Sequence, residues 1–310
     1  MNQKYCEPTA AIMKSLAKSI FSLILTILTF FSFKIFASPQ MPDYIIYKND
    51  TIATYNLLVE QYLQKHDQTN REQLFGLTFR DGASFNCWRG YQAIYKIQND
   101  SLYLSDIINC GSIKDKTFDK GASLKKMYAI FGDKLVGDKV FIDWFSGELS
   151  FPLTNKLLRW DGVFYRIYEE ETVLNFYSGK LLKAENVSNY GKVSKGIDRH
   201  YNIKISDILF KYIKKIKFKN TDDCDCSEKY LITINENGKV AKVKTAKYKS
   251  VDEIDDADEK KEYSYCTHSV FEALKNLQFD IIKDKGKPIP EDVYLEIWVE
   301  DNGKVKNWTN

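Results

Sequence analysis

The pattern that most constrains this chain is a two-residue alternation that recurs in short segments closed by turn residues. Val293, Leu295, Ile297 and Val299 alternate with Tyr294, Glu296 and Trp298. Tyr230, Ile232 and Ile234 alternate in the same way, the chain turns at Asn235-Glu236-Asn237-Gly238, and Val240 to Val243 returns. A period of two places one set of side chains on one face of a strand. Asn-Gly between apolar runs is a strong local hairpin signal.

The same grammar runs through the first half. Asp43 to Ala53 reads as two short strands around Lys48-Asn49-Asp50, and Phe85 to Ile97 and Leu102 to Ile108 flank Gln98-Asn99-Asp100-Ser101. Further strands are predicted at 140–145, 162–169 and 171–176, with turns at Phe145-Ser146-Gly147 and Tyr177-Ser178-Gly179-Lys180. Such spacing predicts an antiparallel sheet curled into a sandwich or open barrel.

Helical spacing is sparser. Leu57, Leu58, Tyr62 and Leu63 mark a helix within Tyr55 to Lys65. Ser206 reads as the N-cap of a second, whose buried stripe is Ile208, Leu209, Tyr212, Ile213 and Ile216. A third, Thr267 to Gln278, sets Val270, Phe271, Leu274 and Leu277 on one side. The fold class is therefore α+β: a β-rich domain over 42–185, a polar linker over 186–200, and a two-layer α+β domain over 201–310.

Ahead of these lies Ile20 to Phe33, an uncharged apolar run preceded by Lys14 and Lys18 and followed by Lys34 and Ser38-Pro39. Residues 1–37 read either as a signal peptide, with Met1 or Met13 as the start, or as an uncleaved membrane anchor contacting the bilayer through residues 20–37. Both readings put the remainder outside the cytoplasm, in the periplasm or cell envelope. Cysteine usage agrees: Cys87 and Cys110 flank the hairpin around Asn99-Asp100, and Cys224 or Cys226 has Cys266 as a disulfide partner. The rival for that last group is a thiolate metal site with His268 as fourth ligand, but the spacing lacks a CxxC knuckle, so no metal is assigned.

With 45 basic and 42 acidic residues the net charge is only +3, and the charges interleave, which argues against nucleic acid as a partner. The three histidines, His66, His200 and His268, form no HExxH, and the chain has no GxSxG elbow and no P-loop. No cofactor is implied and no enzyme is predicted. The acidic run Asp252 to Glu259 reads as a solvated face. Trp88, Arg89 and Tyr91 form the one cluster with the makings of a ligand site, a stacking platform beside an anion fork; as structure they are a core Trp, an edge Arg and their neighbour. Asp143-Trp144 and Trp160-Asp161-Gly162 read as core plus turn.

Two resemblances add to this. Gly238-Lys239-Val240, the helix ending in Leu277-Gln278-Phe279, and Gly286-Lys287-Pro288-Ile289 before the last strand resemble the C-terminal domain of the TonB energy-transducer family over about residues 202–300. That resemblance implies a periplasmic module that binds another envelope protein, an outer-membrane receptor, by pairing strand to strand. The strand it offers is Val293, Leu295, Ile297 and Val299, at an exposed edge. The family's Pro-rich reach is replaced here by a globular segment, and Lys219 to Cys226 stand where its Tyr-Pro would be. The block from Cys87 to Ile107, with Asp143 to Leu149, resembles uncharacterised exported bacterial proteins and brings no activity with it. The alternative to protein binding is an exported enzyme or small-ligand binder that uses the β-rich part.

Overall fold

The computed structural model describes residues 39–66, 83–115, 118–218 and 225–309. The leader and Cys224 lie outside the described residues. Among those described, no helix is long and apolar enough to cross a membrane. The architecture is α+β, with several antiparallel sheets.

Two-residue turns set the first strands. Strand β1 (Asp43–Tyr47) pairs with β2 (Asp50–Thr54) around Lys48 and Asn49, both at positive φ. Strand β3 (Gln92–Gln98) pairs with β4 (Ser101–Ile108) around Asn99 and Asp100, also at positive φ, with Ile97 opposite Leu102 as expected. Turns with φ > 0 at both central residues match the right-handed twist of the strands they join. A bulge at Ile94/Tyr95 shifts the register by one residue, and the Cys87–Cys110 disulfide closes beyond it.

Between β2 and β3 comes helix α1 (Leu58–His66), and after β4 comes α2 (Lys120–Phe131), capped by the Asp119 carboxylate on the Ala122 N–H. Then follow β5 (Leu135–Val136), β6 (Lys139–Phe141), β7 (Gly147–Pro152), β8 (Leu157–Trp160), β9 (Arg166–Tyr168), β10 (Glu170–Tyr177) and β11 (Lys180–Ser188). Among the described residues nine strands make one sheet in the order β2-β1-β3-β4-β11-β10-β7, with β6 and β5 branching from β4. One pair, β1–β3, is parallel, where an antiparallel sheet was expected: β3 is reached from the hairpin by way of α1 and comes back in the direction of β1. The end strands β2 and β7 come together without pairing as neighbours, so the sheet is an open barrel. Its core runs from Ile45 and Tyr95 through Leu104 and Leu174 to Phe151, and the helices add Leu58, Val59 and Met127.

The remainder comprises β12 (Tyr190–Gly191), α3 (Asn202–Ile213), β13 (Glu228–Ile234), β14 (Val240–Thr245), α4 (Ala257–Leu274), β15 (Ile281–Asp284), β16 (Lys287–Pro288), β17 (Glu291–Val299) and β18 (Val305–Asn307). Strands β14-β13-β17-β18 form an antiparallel sheet. Its inner face (Tyr230, Ile232, Leu295, Ile297) packs with Ile205 and Leu209 of α3 and Val270 and Leu274 of α4.

Several expectations need correction here. Helix α3 begins at Asn202, so Ser206 is no N-cap; its hydroxyl donates to the Tyr294 carbonyl at 2.8 Å. Helix α4 begins ten residues before Thr267, because Asp256 caps it by accepting from the Asp258 and Glu259 N–H groups. The acidic run is thus partly a helix N-terminus, where carboxylates suit the dipole. The polar stretch 186–200 is no free linker: β12 pairs with β15, and Asn189 and Arg199 are fully buried. The Cys226–Cys266 disulfide uses two of the thiolates that the metal alternative required.

Strand β17 is not an exposed edge either. Strand β13 pairs with it from Glu291 to Ile297, and β18 covers Ile297 to Val299 on the other side. Beyond β18, the Trp308 N–H donates to the Glu296 carbonyl at 2.8 Å. Val293, Leu295, Ile297 and Val299 all point into the core. Alternation identified the inward face; it carried no information about which strands would lie on either flank.

Candidate functional site

The cluster Trp88, Arg89 and Tyr91 does not converge on a cavity. Arg89 and Tyr91 are buried and Trp88 is 44% exposed. Arg89 donates to the carboxylate of the fully buried Asp43 at 2.6 Å and to the Met41 carbonyl at 2.8 Å. Asp43 also accepts from the Ala93 N–H and the Tyr95 hydroxyl. Tyr95 in turn accepts the Val59 N–H at the start of α1, and Tyr91 donates to Glu60 at 2.5 Å. Burial pushes the Asp43 carboxyl upwards, and the Arg89 charge and these donors pull it back. This network fastens the parallel β1–β3 pair and α1 together. It takes up the donors through which Arg89 would have gripped a ligand.

Among the described residues a cavity lies at the seam of the barrel, where β2 faces β7. Its volume is about 280 Å³. Tyr55 and Phe151 come from the ends of β2 and β7, and Phe164, Tyr165 and Arg166 from the β8–β9 hairpin. Asp284 and Lys285, at the β15–β16 turn, close the far side. A barrel that fails to close leaves such a space between its end strands, and here the hairpin and the turn supply walls.

Local chemistry holds each wall in place. Asp161 accepts the N–H groups of Val163, Phe164 and Tyr165 through one carboxylate oxygen, at 2.7, 2.9 and 3.1 Å, and thereby shapes the hairpin loop. Trp160 is half exposed rather than in the core. The Arg166 guanidinium lies 3.9 Å from the centre of the Tyr55 ring and 5.2 Å from that of Trp160, within cation–π range, and gives one hydrogen bond to the Phe164 carbonyl. Glu171 accepts from the Tyr168 N–H and the Asn189 amide, and its burial pushes its pKa up. Burial, then the nearby Asp284 carboxylate, pushes the Tyr165 phenol well above its usual range. Trp88 does not line the cavity; its ring stands edge-on to that of Phe164, at 6.5 Å between centres.

Behind the cavity stands a buried ionic knot. Glu291 at the start of β17 takes Arg159 of β8 and Arg199 as partners. Arg159 also donates to the Arg199 carbonyl at 2.9 Å. These bonds tie the β8–β9 hairpin to β17. Burial alone would raise the Glu291 pKa, but the two arginines hold it below the usual carboxylate range.

No family model, curated protein or solved structure matches the chain. The candidate site therefore rests on geometry. Most of it is not legible in the sequence: Tyr55 falls at the start of a helical pattern, and no motif singles out Asp284 or Lys285. The one signal available was the density of aromatic and charged residues in Trp160 to Tyr168.

Proposed function

We propose that this is an exported, non-catalytic cell-envelope protein whose barrel captures a small ligand in the cavity between β2 and β7. The observation that carries this reading is the cavity itself: about 280 Å³, with aromatic walls and polar groups that converge from three separate elements. The two disulfides support the oxidising compartment that export supplies. The proposal divides the chain into a β-rich domain that binds and a TonB-like α+β domain behind it.

The test is saturation-transfer NMR of the full exported chain against a library of single-ring compounds, beside an Ala53→Trp variant. Ala53 is exposed on β2 at the cavity mouth, so a bulky strand-compatible residue there fills the space. Hits that lose their signal in Ala53→Trp support the reading. An absence of hits, or hits indifferent to the variant, overturns it.

A second reading is favoured by one observation. The order β14-β13-β17, with α4 between β14 and β17 in sequence, is compatible with the resemblance to the TonB C-terminal domain. Strand pairing to a partner, an outer-membrane receptor in that family, then requires β18 to leave β17, or uses the outer side of β14. Removing residues 300–310 uncovers the Ile297–Val299 edge. Gain of receptor binding on that truncation supports strand pairing, and unchanged binding counts against it.

A further inference from the structure

We infer that the seam cavity takes a small anionic ligand, a carboxylate carried on a six-membered ring, with Arg166 as its principal anion contact. The inference rests on the ligand-binding reading above and specifies it.

Three carboxylates face the cavity, and two already accept from the protein. Asp161 takes three backbone N–H groups and Glu171 a backbone N–H and an amide, and Asp284 lies close enough to Tyr165 to raise its phenol. The cations are placed differently. Arg166 forms no ion pair among the described residues; its guanidinium lies over the rings of Tyr55 and Trp160 and spends one donor on the Phe164 carbonyl. A guanidinium has five N–H donors in a planar fork that matches a carboxylate. Contact with both rings restricts its motion, so little side-chain freedom is lost when an anion binds. Lys285, which lies near enough to Glu171 to lower its pKa, stands opposite at the turn and likewise forms no ion pair among the described residues.

Size and walls define the rest of the ligand. A volume of about 280 Å³ is at the low end for small-molecule sites and suits one substituted ring rather than a peptide. Phe151, Phe164 and Tyr165 supply the apolar surface for the face of that ring. A sugar acid and an aromatic acid share this chemistry.

Calorimetry at low salt on the full exported chain separates the outcomes. The probes are D-glucuronate and benzoate, with D-glucose and benzyl alcohol as their uncharged counterparts. At least one acid is expected to bind tenfold or more tightly than its counterpart, and Arg166→Gln is expected to erase that preference. Lys285→Gln, at a half-buried turn position whose side chain makes no ion pair among the described residues, serves as a second variant with a smaller loss, about threefold, should Arg166→Gln fold poorly. Glucuronate alone binding marks a sugar acid, and benzoate alone an aromatic acid. Equal binding of acids and neutral counterparts overturns the anion class while leaving the cavity as a ligand site. No binding by either acid also overturns it, and the ring-compound screen against Ala53→Trp then decides the cavity reading separately.

Discussion

The Arg166 guanidinium rests on the ring of Tyr55, 3.9 Å from its centre. The contact joins the β8–β9 hairpin to the end of β2 across the seam of the barrel. Burial pushes the Tyr55 phenol upwards, and the Arg166 charge acts against that shift. Arg166→Gln removes the cation, so the Tyr55 phenol is expected to titrate at higher pH still. Ultraviolet difference titration of the variant, with Tyr55→Phe to assign the signal, checks this. An unchanged or lower titration point would mean that the two groups are not in contact in solution.

Arg89→Met is expected to destabilise the fold by about 3–5 kcal/mol, because it leaves the Asp43 carboxylate buried without its cation. The double variant Asp43→Asn/Arg89→Met is expected to recover part of the loss. Urea unfolding of the wild type, the two single variants and the double variant measures the coupling.

Both disulfides are expected to matter for stability. The Cys87–Cys110 bridge spans 23 residues and Cys226–Cys266 spans 40. Loop-closure entropy assigns them about 3 and 4 kcal/mol respectively. Paired Cys→Ser variants, compared by thermal and urea unfolding, test the order. Mass spectrometry after non-reducing digestion tests the pairing itself.

Acid sensitivity should be traceable to Glu291. Its folded-state pKa lies below its unfolded value, so its contribution is present above about pH 4.5 and lost as pH falls through the folded value. Between pH 5 and 3 the stability of the wild type is expected to drop more steeply than that of Glu291→Gln, which starts lower because Arg159 and Arg199 lose their counter-charge. Equal slopes would exclude Glu291 from the acid response.

Gly179 stands at the meeting of β10, β11 and the segment after β6. Its φ is +73°, and a Cβ there would lie 2.2 Å from the Ile142 carbonyl oxygen. Its own carbonyl accepts the Leu102 N–H at 2.8 Å, one of the few bonds that join β11 to the β3–β4 side of the sheet. Gly179→Ala is expected to cost more than the roughly 1 kcal/mol of an unobstructed left-handed position. Chemical denaturation gives the value, and a cost below 1 kcal/mol would show that the carbonyl yields.

Short-range rules determined a good deal of this protein. Lys48-Asn49 and Asn99-Asp100 set two hairpins because few residue pairs accept positive φ in succession. Alternation in 230–234 and 293–299 set which side chains are buried, and helical spacing picked out Leu209 and Ile213 of α3 and Val270 and Leu274 of α4, but Tyr212, placed on the buried stripe of α3, is exposed and Ile205 takes its place in the core. The Cys87–Cys110 pairing was only half legible: the bulge at Ile94/Tyr95 shifts the hairpin register away from it, and the turns at Gly90 and Gly111, both at positive φ, accompany the bridge.

Other features depended on which elements came to lie side by side. Nothing in 291–299 marks it as interior to its sheet, because its flanks are occupied by β13, sixty residues earlier, and by β18 after it. Arg89 looked like a free anion fork until Asp43, forty-six residues away, was placed against it. The cavity belongs wholly to this second class. Tyr55, Arg166 and Lys285 lie on separate elements with no shared local pattern, and they meet because the barrel stops short of closing between β2 and β7. Turn conformation and face periodicity are properties of a few adjacent residues. Strand neighbours, buried ion pairs and cavities arise from long-range packing, which only the folded chain decides.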